Sequence, residues 1–168
     1  MRSGSADPAA GAETPAPRLV EGVAGLKQLI KQEVAVTGYI EVSQNMIGQF
    51  ADVTRDWQWI HVDSERARRD SPFGKTVAHG FLTLSLIPQF VVNAVQVKGV
   101  KLGINFGLNH VRFPSAIPAG SQIRARIVLE GVEEGPNWVQ CAWFITIERF
   151  GGKLPACVAE WLVRYYLK

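Results

Sequence analysis

The sequence predicts an α+β protein, helices first and strands last. Three observations predict it. Apolar residues recur at helical spacing in the first half, at Val23, Leu26, Leu29 and Ile30 and again at Met46, Ile47, Phe50 and Ala51, the period of a helix with one buried face. From His79 to Val95 the chain is apolar nearly all round, so a helix there must be buried on most sides. Beyond Gly99 the period becomes two, most plainly where Ile123, Ala125, Ile127 and Leu129 alternate with Arg124, Arg126 and Glu130, as in a half-buried strand. Segregated elements of this kind argue against an alternating, doubly wound sheet.

The elements follow in order. Residues 1–17 are mostly Ala, Pro, Gly and Ser and bury too little apolar surface to offset their ordering entropy, so a disordered tail is expected. Residues 18–168 are read as one domain. A short helix is expected over 22–31 and a strand over 34–42. Ser43 is placed to cap a helix over about 44–53. Residues 54–61 (TRDWQWIH) fit neither period and read as a loop. Ser64 is placed to cap a short polar helix over 65–69. Pro88 should kink or split the buried helix, because it lacks a backbone N–H. Strands are expected over 100–106, 109–113, 122–133, 138–150 and 154–167. One buried helix wrapped by a curved antiparallel sheet is the hot-dog arrangement. Such a sheet leaves an edge and an apolar flank uncovered, so a homodimer is expected.

Composition narrows the function. With 168 residues, 47% of them hydrophobic and 20% charged, the chain can bury a core without staples. A net charge of +3, scattered along the chain, is too weak to argue for nucleic acid binding but suits an anionic small ligand. No run of 18 apolar residues suggests a membrane span, and no secretory leader is evident. Cys141 and Cys157 lack metal-ligand spacing and read as buried free thiols, so a cytoplasmic protein is expected. No phosphate loop, nucleophile elbow or metal cluster is present, and neither metal nor separate cofactor is expected.

Two places could carry chemistry. Asp56 and His61 flank Trp57, Gln58, Trp59 and Ile60. A carboxylate and an imidazole held together can share a water and pass protons both ways, and desolvation by the tryptophans would move both pKa values toward neutrality. Spacing alone equally allows Asp56 to cap a turn and His61 to be a structural histidine. His79-Gly80 stands where the buried helix begins. Unpaired N–H groups at a helix start can hold a developing oxyanion, and glycine permits close approach. A tight turn capped by His79 would explain the same residues. Arg66, Arg68, Arg69 and Lys75 could meet phosphates or form a solvated face. Asn105 could line a pocket or serve a turn.

Taken together, residues 50–67 (FADVTRDWQWIHVDSERA), Pro72-Phe73-Gly74 and Ala78-His79-Gly80-Phe81 resemble the MaoC-like, R-specific enoyl-CoA hydratases, closest to their NodN-like single-domain branch. The resemblance covers roughly residues 35–167. The loop in that family reads G-D-x-N-P-(I/L)-H. Asp56, Ile60 and His61 match it, whereas Arg55, Gln58 and Trp59 replace the Gly, Asn and Pro. The resemblance implies that Asp56 and His61 activate a water and that the Gly80 amide holds the thioester oxygen; His79 and Asn105 are the further candidates for substrate binding. The implied reaction is reversible syn hydration of a trans-2-enoyl-CoA to the (R)-3-hydroxyacyl-CoA, the CoA arriving as part of the substrate. A hot-dog thioesterase is the alternative enzyme. A non-catalytic acyl-CoA-binding subunit is kept open by the altered loop.

Overall fold

The computed structural model describes residues 16–168, so most of the expected tail lies outside the described residues. Strand β1 (Arg18–Val20) leads into helix α1 (Gly22–Gln28), strands β2 (Gln32–Val36) and β3 (Ile40–Val42), and helix α2 (Gln44–Thr54). The short helices α3 (Trp59–Val62) and α4 (Ser64–Asp70) follow, then α5 (Gly80–Ser85) and α6 (Ile87–Ala94). Strands β4 (Val95–Val97), β5 (Val100–Arg112), β6 (Ser121–Glu134), β7 (Trp138–Arg149) and β8 (Cys157–Leu167) complete the chain. The main sheet runs β2-β6-β7-β8-β5, with β3 also paired to β6 and every pairing antiparallel. β1 and β4 form a separate parallel pair.

The core follows from the strand period. Ile123, Ala125, Ile127 and Leu129 of β6 are fully buried, as are Cys141, Trp143, Ile145 and Ile147 of β7. On β8, Cys157, Ala159, Trp161 and Val163 continue the same face. Leu82 of α5 and Ile87, Phe90 and Val91 of α6 belong to this core, α5 lying against β8 and α6 against β6. Each fully buried aliphatic side chain here contributes about 1.5–3 kcal/mol. Both cysteines are free and buried, and desolvation raises their thiols to about 12 (Cys141) and about 11 (Cys157).

Several expected boundaries shift. The helix expected over 22–31 stops at Gln28, and the strand expected over 34–42 is two strands with a break between them. Asp63 rather than Ser64 caps α4, its carboxylate accepting from the Arg66 amide at 2.9 Å. The expected loop over 54–61 ends in the helical turn α3. The buried helix is split at Leu86, with Pro88 in the first turn of α6, where its missing N–H costs nothing. It is not buried all round, since Phe81 and Val92 face outward. The two strands expected between 100 and 113 are one, because bulges at Asn105/Gly107 and Asn109/Arg112 bend the ladder without ending it.

Candidate active site

The site forms where α3, residues 76–80 and the loop after β5 meet. Helix α2 ends on Arg55, which takes the left-handed conformation at φ 62° and ψ 26°. Side chains other than glycine rarely occupy that region. Arg55 replaces the glycine of the loop pattern and keeps a backbone turn that suits glycine. The turn delivers Asp56, whose Oδ1 accepts from the Gln58 amide at 3.4 Å.

α3 is clamped from two sides. Val77 donates its N–H to the Ile60 carbonyl at 2.9 Å, and His61 Nδ1 lies 2.6 Å from the Val77 carbonyl. Gln44 of α2 donates to the His61 carbonyl at 2.9 Å and accepts from the Thr76 hydroxyl. The strand-like segment 76–78 is held on its other side by the bonds Ala78 N–H to Ile117 O and Ala119 N–H to Thr76 O. These bonds bury His61 and leave its ring little freedom.

A carbonyl can only accept, so His61 Nδ1 carries the proton and Nε2 keeps a lone pair in the neutral ring. The same logic applies to His79. Its Nε2 donates to the Asp56 carbonyl at 2.9 Å, and its Nδ1 is buried without a hydrogen-bond partner. The two rings stack at 3.7 Å with planes 25° apart, and Phe50 packs on His79 from 5.0 Å. Burial is the main cause that holds the His61 pKa below 6.5; the nearby His79 adds to it, while the Val77 bond and Asp56 oppose.

Asp56, His61 and His79 each place one ligand-capable atom within 4.8 Å of the others. Asp56 Oδ2 is 4.0 Å from His79 Nε2. A metal needs lone pairs that converge on one point. One nitrogen of each ring is already engaged by a backbone carbonyl, which leaves one per ring for any other partner. Asp56 and His61 lie within 4.8 Å by one polar atom each, a span that one water can bridge with two ordinary hydrogen bonds of about 2.8 Å each.

His61 and Gly80 line one cleft of about 640 Å³ with Phe73, Thr83, Phe113 and Ser115. The Gly80 amide lies in the first turn of α5 and has no intrahelical partner. A Cβ at Gly80 would meet the Phe113 ring at 3.1 Å, so the close approach that requires glycine is that of a side chain of this chain.

Other expected residues fall elsewhere. Asn105 is not brought to this cleft. Its Oδ1 accepts from Trp161 Nε1 at 2.9 Å, and it lines separate grooves beside β5. Asp56 and Trp57 are both about half exposed, at 54% and 52%, so tryptophan desolvation does not act on the carboxylate as expected. Trp57 instead donates to Asp52, and Trp59 carries Arg66 over its ring at 4.4 Å. Arg66 and Arg69 pair with Asp70 and Arg68 with Glu65, a solvated face rather than a phosphate cluster. The sequence reading missed the Val77 carbonyl, the Gln44–Thr76 clamp and the Phe113 contact. The first two depend on tertiary pairing, which no local pattern shows.

Comparison with known proteins adds the following. Residues 25–142 match the family model described as MaoC like domain. The chain is 48% identical over 149 residues to 3-hydroxyacyl-thioester dehydratase Z of Mycobacterium tuberculosis (strain ATCC 25618 / H37Rv), covering 88% of this chain and 98% of that protein. It is 39% identical over 142 residues to Nodulation protein N of Rhizobium leguminosarum bv. viciae, covering 83% and 88% respectively. It superposes on the (R)-hydratase from A. caviae involved in PHA biosynthesis with a TM-score of 0.65 at 21% identity, covering 80% of this chain and 94% of the other. At that identity the likeness establishes the hot-dog fold alone.

Proposed function

The chain belongs to the MaoC-like family of hydratases and dehydratases, and from that premise we propose that it adds water reversibly across trans-2-enoyl-CoA thioesters to give (R)-3-hydroxyacyl-CoA. The observation that carries this reading is that Asp56 and His61 bring polar atoms within 4.8 Å of one another while His61 lines the cleft that Gly80 also lines.

A water bridges the Asp56 carboxylate and His61 Nε2. As its oxygen bonds to C3, His61 Nε2 takes one proton and the C2–C3 electron pair moves toward the thioester oxygen. The Gly80 amide donates to that oxygen. The imidazolium then returns its proton to C2, restoring the neutral ring. Hydroxyl and hydrogen arrive from one side because one imidazole handles both, which is a syn addition. Burial and His79 disfavour the charged ring, which favours return of the proton. Asp56 orients the water and offsets the transient charge. His79 holds the Asp56 backbone and fixes the His61 ring plane without touching substrate.

The same reading includes a homodimer. β5 is an edge strand whose Leu102, Ile104, Phe106 and Leu108 are exposed, with Phe81 and Phe113 also exposed nearby. An uncovered edge of this length and apolar character favours pairing with another strand. Sedimentation should give twice the chain mass, and Ile104→Lys should shift it toward the monomer.

The deciding assay mixes the protein with crotonyl-CoA and follows loss of the enoyl group, release of free CoA and handedness of the 3-hydroxy product. Enoyl loss with an (R) product and no free thiol supports the proposal. Free CoA without hydration would make the protein a thioesterase, and neither change would leave it a binding subunit.

A further inference from the structure

Arg149 breaks the pattern of the core face. Val139, Cys141, Trp143, Ile145 and Ile147 form the buried row of β7, and the alternation places Arg149 next in that row. Its cross-strand neighbour on β6 is Ile123, itself fully buried. Arg149 is half-buried, its Nε is buried without a hydrogen-bond partner, and it joins no ion pair among the described residues.

Arg164 shares with Arg149 a buried Nε without a hydrogen-bond partner, but Arg124, Arg126 and Arg164 each have other compensation. Arg124 and Arg126 pair with Glu148, and Arg126 also pairs with Glu33. Arg164 lies between the Phe106 and Trp138 rings at 3.9 and 4.1 Å and donates to Gln140. A guanidinium on an apolar face without a counter-charge is costly unless a partner arrives. Arg149 lines both the cleft of His61 and Gly80 and a polar pocket with Arg124, Glu148 and Lys153, so a ligand in the cleft can reach it and supply that partner. Arginine suits it, since its planar fork pairs with two oxygens of a phosphate or carboxylate.

We propose that Arg149 is an anion-binding subsite of this cleft, taking a phosphate or carboxylate group of the thioester. The inference rests on the thioester reading above and extends it to a specificity-determining residue. The anion has two sources: the phosphate of the pantetheine carrier arm, or a carboxylate at the far end of the acyl chain.

The test measures binding of saturated thioesters, which cannot be hydrated, by calorimetry. Butyryl-pantetheine is the neutral reference, butyryl-phosphopantetheine adds the phosphate, and glutaryl-pantetheine adds the carboxylate. The wild-type chain should bind at least one anionic compound about tenfold or more tightly than the reference. Arg149→Gln and Arg149→Met should erase that preference and leave the reference affinity within about twofold. A preference for phosphate alone assigns the carrier arm, and one for carboxylate alone assigns the acyl end. Arg149→Gln carries the test if Arg149→Met does not fold. The proposal is overturned if the wild type prefers neither anion, if the preference survives in the variants, or if they lose the neutral ligand equally. Turnover of crotonyl-CoA by the wild type judges the hydratase reading separately.

Discussion

The two walls of the site are built differently. On one wall His61 and His79 are almost fully buried, with His61 tied to Val77 and Gln44. On the other wall Asp56 sits on an exposed turn, held by the His79 ring and a long bond from Gln58. The rigid wall supplies the group whose protonation must be controlled, because burial disfavours the charged imidazole. The open wall supplies a charge that needs only to face the water. Geometry is therefore dictated from the His61 side.

The largest break should come on the rigid wall. His61→Gln keeps size and polarity but removes the base, and should lower crotonyl-CoA hydration about 10³-fold or more with melting temperature nearly unchanged. Asp56→Asn should cost somewhat less, about 10²-fold, because the amide still holds the water while losing the charge. Steady-state rates for the two variants read the comparison directly, and a larger loss from Asp56→Asn would reverse it.

Gly80→Ala should then destabilise the rigid wall. Its new methyl meets the Phe113 ring at 3.1 Å, and because that ring is partly exposed and can give by a few tenths of an ångström, the loss in thermal unfolding should stay at or below about 1 kcal/mol. Phe113→Leu in the same chain should recover much of that loss.

The pH dependence separates the walls further. The His61 pKa lies below 6.5 in the folded chain because burial disfavours its charged form. The neutral base therefore persists at pH 6.5, and the acid limb of kcat/KM should fall below that value. Stability has the same sign. Between the folded pKa and 6.5 the unfolded chain binds more protons, so the His61 contribution is complete above about pH 6.5. It is lost as pH falls through the folded value. His61→Gln should flatten this part of the stability profile.

The smallest effect belongs to the open wall. Arg55→Gly relieves a left-handed conformation at φ 62° at the cost of a more flexible unfolded chain. The balance should be a gain of about 0.5–1 kcal/mol, read as a melting temperature a few degrees higher.

These walls were unequally legible in the sequence. The buried row of β6 could be read residue by residue, because strict alternation over four apolar positions has one structural meaning. The split at Leu86 followed from Pro88. Asp56 and His61 were found through the family pattern, since four intervening residues fix no distance by themselves. Trp57 was read as a desolvating wall, yet it points to Asp52 and leaves Asp56 open, because a side chain's direction at a helix end depends on the cap. Strands β1 and β4 are three residues each and pair from 77 residues apart, too short to show a period. Asn105 was assigned to the substrate, but the bulged β5 turns it to Trp161. Arg149 is readable in principle, since the alternation that buries Ile147 also turns Arg149 inward.

A double-mutant cycle on crotonyl-CoA hydration, comparing Asp56→Asn, His61→Gln and the pair, tests the shared water most directly. If both groups act on one molecule, the double variant should be no slower than the worse single one. Losses that multiply would mean that Asp56 and His61 act independently, and would contradict the account.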